Sequence, residues 1–191
     1  MKRAIIVHCW SGYPDYCWYR QTQKELEAIG FQVSVPAMPE TDAPKLSLWL
    51  PKLKETVETP DMNTYLIGHS IGCAAILRYL ESLGGEEKIG GAVLVAGFSE
   101  KLSGFPEIDN FFETPFDFSK LRSKCGHFVA IHSDDDPYVP LRFGDIFREK
   151  LGAELTVKHA MKHFSGPADK EESCTSLPDV SEAIQRLIAA K

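Results

Sequence analysis

The stretch NTYLIGHSIGCAAILRYL, residues 63–80, passes from a run with strand composition directly into a run with helical composition. Ser70 stands at the junction, and Gly68 and Gly72 lie two residues on either side of it. A strand that enters a helix through one tight turn is the building unit of a parallel sheet covered by helices. This stretch therefore predicts an α/β fold with a serine at the end of a strand.

The same alternation continues on both sides of this stretch. Helical patterns separate short β-rich runs, which are AIIVHC, FQVSV, GGAVLVAG, HFVAIHS and ELTVKH. A further helical run, LSLWLPKLKETV, contains Pro51, which we expect in the first turn or at a kink. Residues 98–124 are rich in phenylalanine and turn residues and follow no clear period. The pattern predicts a mostly parallel sheet with helices on both faces, in which chemical groups collect where strands end.

Length and composition limit the classes of function. The 191 residues fit one domain, 1–191, with 43% hydrophobic and 25% charged residues. A net charge of −6 argues against a nucleic-acid partner, which needs a clustered positive surface. The apolar runs are too short to span a bilayer, and the first one is too short for a signal peptide. We therefore expect neither a nucleic-acid nor a membrane partner.

The cysteines indicate the redox environment. Their number is five, and no two have C-x-x-C spacing. This pattern disfavours a disulfide framework or a cysteine zinc site. Reduced thiols and a cytoplasmic location are the expectation.

The pattern G-x-S-x-G around Ser70 is typical of a nucleophile elbow, a strained turn that exposes the serine oxygen. We expect that side chains at Gly68 and Gly72 would collide with neighbouring backbone. The helix that follows Ser70 would direct free N–H groups and its positive dipole end at the reacting atoms. The motif therefore predicts a nucleophilic serine.

A serine hydroxyl becomes a good nucleophile only when a base removes its proton. In this fold class an acid and then a histidine follow the serine along the chain. The loop SDDDPYVP, residues 133–140, offers three aspartates, of which we prefer Asp136, with Asp135 as the runner-up. Of the later histidines, His159 ends a strand, whereas His163 lies in a loop with more freedom to reach Ser70. We expect His163 to be the base.

Backbone groups complete the predicted site. The N–H of the residue after the nucleophile, Ile71, is one expected donor to an oxyanion. The second is expected from the loop after the first strand, at the N–H of Trp10. His8, at the end of that strand, is expected to shape this loop.

The chain resembles the small serine hydrolases of the α/β-hydrolase superfamily, the group of the bacterial YdeN proteins and retinoblastoma-binding protein 9. The motifs that carry the resemblance are HCW…CW, MPETDAPKLSLWLPKL, NTYLIGHSIGCAAILRYLE, GGAVLVAGFSEKL, SDDDPYVP and the HF at residues 163–164. They cover nearly the whole chain.

This resemblance implies a compact α/β-hydrolase fold with about six strands and no large lid domain. It implies a triad of Ser70, Asp136 and His163, because the family acid is the aspartate directly before the proline. Two positions depart from the family pattern: Cys9 follows His8 where glycine is usual, and Lys162 precedes the histidine where glycine is frequent. No metal or organic cofactor is expected.

These residues predict a serine hydrolase that acts on a carboxylic ester, or else an amide or thioester, through an acyl-enzyme. The expected partner is a small acyl substrate. Two alternatives stay open: a hydrolase-fold protein whose main role is to bind a protein partner, and an acyltransferase with the same triad. A fluorophosphonate probe would separate the enzyme from the binding protein.

Overall fold

The structure is a computed structural model that describes residues 1–165 and 174–189. Within them, six strands form one sheet: β1 (Arg3–Val7), β2 (Gln32–Ser34), β3 (Thr64–His69), β4 (Gly91–Val95), β5 (Phe128–Ser133) and β6 (Glu154–Lys158). The helices are α1 (Tyr19–Ala28), α2 (Leu46–Val57), α3 (Ile71–Ser82), α4 (Phe118–Lys124), α5 (Arg142–Leu151) and α6 (Pro178–Ala189), with a 3₁₀-helix at Pro106–Phe111.

The strands lie in the order β2-β1-β3-β4-β5-β6, and every neighbouring pair is parallel. The predicted parallel sheet of about six strands is therefore confirmed. Gly68, near the end of β3, lies between Val7 on β1 and Leu94 on β4. Since all strands run the same way, the loops that follow them meet at one edge of the sheet.

Two hydrophobic cores cover the two faces of the sheet. Helices α1 and α6 pack on one face, and α2, α3, α4 and α5 pack on the other. Strand β4 shows how one strand serves both cores, because Leu94 belongs to the larger core and Val95 to the smaller one. This burial on both faces explains why the central strands read as continuous apolar runs.

The quoted stretch around Ser70 forms the centre of this architecture. All six residues of β3 are buried, and so are the first ten residues of α3. The exposed turn at Gly84–Gly85 follows α3 and leads back to β4 at the opposite edge of the sheet. Ser70 is thus held at one edge by two elements that are themselves packed in the core.

Two sequence expectations need correction. Of the two places expected for Pro51, the first turn of α2 is wrong, because Pro51 lies in the middle of that helix, and a kink there stays a prediction. Pro51 is tolerated there because it and Ser47, whose carbonyl loses a backbone partner, are both exposed to water. The stretch without a clear period contains the 3₁₀-helix and α4. Asp117 caps the start of α4, and its Oδ1 accepts from the N–H of Lys120 at 2.9 Å. That capping aspartate is a helix-start signal that the apolar pattern alone does not reveal.

Candidate active site

The turn at Ser70 has the strained geometry of a nucleophile elbow. Ser70 has φ 55° and ψ −123°, a backbone conformation that residues with side chains rarely adopt. A Cβ atom at Gly72 would lie 2.3 Å from the carbonyl oxygen of Val7, and one at Gly68 would lie 2.8 Å from the Cys73 backbone. Side chains at both glycines would therefore strike backbone, as the sequence predicted.

The two backbone N–H groups predicted to bind an oxyanion, those of Ile71 and Trp10, are unpaired among the described residues. In the described part of the chain, the N–H groups of Ile71 and Trp10 have no acceptor within the protein. The N–H groups on either side of Trp10, those of Cys9 and Ser11, donate to Tyr19 Oη at 3.0 Å and to the carbonyl of Thr41 at 2.9 Å. Trp10 thus presents an unpaired donor in a loop whose neighbouring donors are occupied.

Asp136 and His163 form a buried hydrogen-bonded pair. Asp136 Oδ2 lies 2.8 Å from His163 Nδ1, and the two side chains are 2% and 8% exposed. The other carboxylate oxygen, Oδ1, accepts from the N–H groups of Tyr138 at 2.9 Å and Val139 at 3.0 Å. These three bonds fix the Asp136 carboxylate. They also occupy Nδ1 of His163, so that Nε2 is the ring nitrogen not bound to Asp136.

The neighbouring aspartates have other partners. Asp134 Oδ2 lies 2.7 Å from Nδ1 of His159, whose side chain is 90% exposed. This bond raises the pKa of His159. Asp135 accepts from the Ser133 hydroxyl at 2.7 Å and from the Lys162 N–H at 2.9 Å, and the Ser133 bond is the main cause that lowers the pKa of Asp135 to about 2. The three adjacent carboxylates therefore have three different sets of partners, and His163 is bonded by Asp136.

The residues on both sides of His163 have left-handed backbone conformations. Lys162 has φ 50° and Phe164 has φ 55°. Glycine adopts such angles at no steric cost, which explains why it is frequent at position 162 in the resembled family. The loop that carries His163 is accordingly bent into an unfavourable path that other contacts must hold.

Ser70 and His163 line the same cavity, which has a volume of about 230 Å³. Most of its other lining residues are apolar: Trp10, Phe98, Leu102, Phe105, Ile108, Tyr138 and Val139. Among the described residues, no hydrogen bond joins the Ser70 hydroxyl to His163. Catalytic bonds of this kind are often long without substrate and tighten when substrate binds. The structure thus brings Ser70 and His163 to one pocket, with Asp136 bonded to His163.

The Met-Pro pair at 38–39 and Trp49, part of the motif MPETDAPKLSLWLPKL, contact the end of β1 at His8. His8 Nε2 accepts from the N–H of Met38 at 3.0 Å, so that Nδ1 carries the proton donated to the Cys9 carbonyl at 2.8 Å. The Trp49 indole donates to the carbonyl of Pro39 at 2.8 Å and packs edge-on against His8. Met38, Pro39 and Trp49 therefore stabilise the end of β1. No local sequence pattern indicates this role.

Two further observations concern what the described residues can hold or cross. In residues 1–165 and 174–189, no cluster of three or more His, Cys, Asp or Glu side chains is placed to bind a metal ion. No helix in the same ranges has the length and apolar character required to traverse a membrane.

Comparisons with known proteins agree with this geometry. The family model described as Serine hydrolase matches residues 4–186. A Bacillus subtilis (strain 168) protein named as a hydrolase, YdeN, is 34% identical over 183 residues, which cover 96% of this chain and 94% of YdeN. The rat protein named Serine hydrolase RBBP9 is 32% identical over 166 residues, which cover 85% of this chain and 87% of RBBP9.

Solved structures extend the likeness to three dimensions. The crystal structure of the B. subtilis ydeN product matches with a TM-score of 0.92 at 33% identity and covers 99% of this chain and 100% of that one. Est1E from Butyrivibrio proteoclasticus matches with a TM-score of 0.73 at 14% identity over 98% and 88% of the two chains, a likeness of fold alone. By the family model and by relatives above 30% identity along most of its length, this chain belongs to the serine hydrolase family and is an enzyme of the α/β-hydrolase type.

Proposed function

We propose that this chain hydrolyses carboxylic esters of small apolar acids, with Ser70 as nucleophile, His163 as general base and Asp136 as the group that orients the base. The observation that carries the proposal is that His163, held by a buried bond to Asp136, lines one pocket together with a strained serine. Each part has a chemical reason, because a serine needs a base and the base needs a fixed tautomer.

The reaction would proceed in two halves. His163 Nε2 takes the hydroxyl proton as Ser70 Oγ attacks the acyl carbonyl, and Asp136 stabilises the imidazolium that forms. The N–H groups of Ile71 and Trp10 donate to the oxyanion of the tetrahedral intermediate. His163 then returns the proton to the leaving alcohol, and an acyl-enzyme remains on Ser70. Water, deprotonated by His163, attacks this acyl group, and collapse of the second intermediate releases the acid and regenerates the Ser70 hydroxyl.

The pocket supports the choice of substrate class. Its aromatic and aliphatic lining favours an acyl group that buries apolar surface. A volume of about 230 Å³ suits a short or single-ring acyl group rather than a long chain. Amides and thioesters would use the same residues. Amides have a poorer leaving group than esters, and the carboxylic ester is the class that we propose.

A fluorophosphonate probe tests the enzyme assignment directly. We expect stoichiometric label on Ser70 in the wild type and none in S70A, and we expect labelling to slow by at least about 10³-fold in H163A. The matched control is H159A, because this histidine also bonds an aspartate but is exposed, and its labelling rate should stay within about twofold of the wild type. A folded wild-type protein that takes no label would favour a binding role, and loss of labelling in H159A would show that His163 is the wrong base.

Hydrolysis of p-nitrophenyl butyrate then separates hydrolysis from transfer. Release of butyrate at the rate of p-nitrophenol release, in buffer without added acceptor, supports hydrolysis. Acyl release that requires an added alcohol or amine would instead favour an acyltransferase.

A further inference from the structure

Behind the pocket, two side chains that do not line it join three segments of the site. His69 directly precedes Ser70, and Tyr19 begins α1; both are fully buried. The Tyr19 hydroxyl oxygen lies 2.7 Å from His69 Nδ1 and 3.0 Å from the backbone nitrogen of Cys9. On its other side, His69 Nε2 lies 2.8 Å from the carbonyl oxygen of His163.

The partners fix the direction of each hydrogen bond in the series from His163 through His69 and Tyr19 to Cys9. The His163 carbonyl can only accept, so His69 Nε2 must carry a proton. Neutral His69 then accepts at Nδ1 from the Tyr19 hydroxyl, whose oxygen in turn accepts the Cys9 N–H. Burial keeps both groups in these forms, because it lowers the pKa of His69 to about 3 and raises the pKa of Tyr19.

We propose that His69 and Tyr19 are positioning residues that hold the His163 loop and the Trp10 loop in register with Ser70. The inference rests on the proposed function of the site. The two ends of the bonded chain are backbone groups, the His163 carbonyl and the N–H of Cys9, which precedes the proposed oxyanion donor Trp10. The chain therefore ties the base and the oxyanion loop to the residue beside the nucleophile.

The backbone of the His163 loop explains why such a tie is needed. Lys162 and Phe164 both have positive φ, so the loop does not keep its path through local preference. The His69 ring also packs against the His163 ring, with centroids 5.3 Å apart. A fully satisfied buried network of this kind rigidifies the groups that it joins. Loss of the His69 bond should let His163 move relative to Ser70, and misplacement by about 1 Å can cost about 10²-fold in rate.

Four variants separate positioning from simple packing. H69F keeps a ring of similar size but removes both hydrogen bonds, whereas H69Q keeps an amide donor that can reach the His163 carbonyl. Y19F removes only the hydroxyl. Y65F is its matched control, because Tyr65 is also fully buried in the same core but lies at the far end of β3 from Ser70.

Kinetics per active site give the first readout. Sites are counted by fluorophosphonate label, and kcat and KM are measured on p-nitrophenyl acetate. We expect kcat per labelled site to fall about 10- to 100-fold in H69F and Y19F with KM within about threefold, and to recover to within about fivefold of the wild type in H69Q. Y65F should match the wild type. A wild-type kcat per labelled site in H69F or Y19F, with only fewer competent sites, would overturn the proposal in favour of a purely structural role.

Nuclear magnetic resonance gives a second readout that does not depend on activity. Long-range ¹H–¹⁵N spectra of the wild type should show His69 as the neutral Nε2–H form, and the low-field proton of the His163–Asp136 bond should be visible. That proton resonance should broaden or shift in Y19F and persist in H69Q and Y65F. An Nδ1–H form of His69, or an unchanged resonance in Y19F, would overturn the proposal even if H69F fails to fold. An unlabelled wild type with the expected spectra would instead overturn only the proposed function.

Discussion

Asp136 and His163 are joined across 27 residues of sequence by a bond of 2.8 Å from which water is almost excluded. This bond gives the neutral imidazole one tautomer, with its proton on Nδ1. In D136N an amide replaces the acceptor and the tautomer is no longer fixed. We expect kcat on p-nitrophenyl butyrate to fall by about 10³- to 10⁴-fold with little change in KM.

The chain offers a matched control for this change. D135N alters the adjacent carboxylate, which bonds Ser133 and the Lys162 backbone but not the imidazole. Its kcat should stay within about 10-fold of the wild type, because it disturbs only the loop around the base. Equal losses in D135N and D136N would contradict the assignment of Asp136 as the orienting acid.

The close approach at Gly72 predicts a large stability effect. In G72A the new methyl group would lie 2.3 Å from the Val7 carbonyl oxygen, a backbone atom that cannot move aside. We expect the free energy of unfolding in urea to fall by about 3 kcal/mol or more. G84A is the control, since its methyl group would be 3.7 Å from the nearest atom, the Glu87 carboxylate. Similar unfolding midpoints for the two variants would show that the elbow does not need glycine at position 72.

The aromatic wall of the pocket predicts how acyl preference is set. Phe105 contacts Trp10 and Tyr138 edge-on, with ring centroids 6.1 Å and 5.9 Å away. F105A should open space for a longer chain and raise the ratio of kcat/KM for p-nitrophenyl octanoate over butyrate by about 10-fold. F118A should leave this ratio unchanged, because Phe118 lines a separate cavity. A ratio that also stays constant in F105A would place acyl recognition elsewhere.

The buried histidines predict that the free energy of unfolding falls already at mildly acidic pH. Burial lowers the pKa of His69 to about 3 and of His132 to about 4, from 6.5, and it also lowers the pKa of His8. Below pH 6.5 these histidines therefore bind protons in the unfolded chain but stay neutral in the folded chain. Each such histidine should cost up to about 1.4 kcal/mol of stability per pH unit between pH 6.5 and its folded pKa. Exposed His159, with a raised pKa, acts weakly in the opposite sense.

Urea midpoints at pH 7.5, 6.0 and 5.0 check this expectation. The midpoint should decrease with each step, before most carboxylates titrate. H132L should show a shallower decrease, because it removes one buried titrating group whose Nε2 has no hydrogen-bond partner in the described chain. A midpoint that is constant from pH 7.5 to 5.0 would contradict the burial of these rings in their neutral form.

The central fold could be read from the sequence because its signals are local. Strand β3, Thr64–His69, lies within the strand-like first part of the quoted stretch and ends directly before Ser70, since a strand buried on both faces is apolar nearly throughout. α4 was missed because it has seven residues, too few to show a helical period, and its start depends on the Asp117 cap. The first-turn alternative for Pro51 was wrong because tolerance of proline depends on exposure, which sequence does not give.

The site was readable only in part for a related reason. Ser70 stands in a motif whose glycines have a steric reason. The order of acid and histidine along the chain then limits the other two catalytic candidates to a few residues. The choice between Asp135 and Asp136 depends on side-chain direction, which is set by the N–H groups of Tyr138 and Val139. Tyr19 left no signal at all, because its contact with His69 spans 50 residues. Long-range contacts of this kind arise from the packing of α1 against the sheet.

The direction of α3 also decides where the protein can be handled. Its twelve residues carry the chain about 18 Å from Ser70 to the exposed Gly84–Gly85 turn at the opposite edge of the sheet. A dye, a tether or a solid support attached at that turn would therefore leave the mouth of the pocket facing free solution. The two edges of one sheet thus divide the molecule into a side that reacts and a side by which it can be anchored.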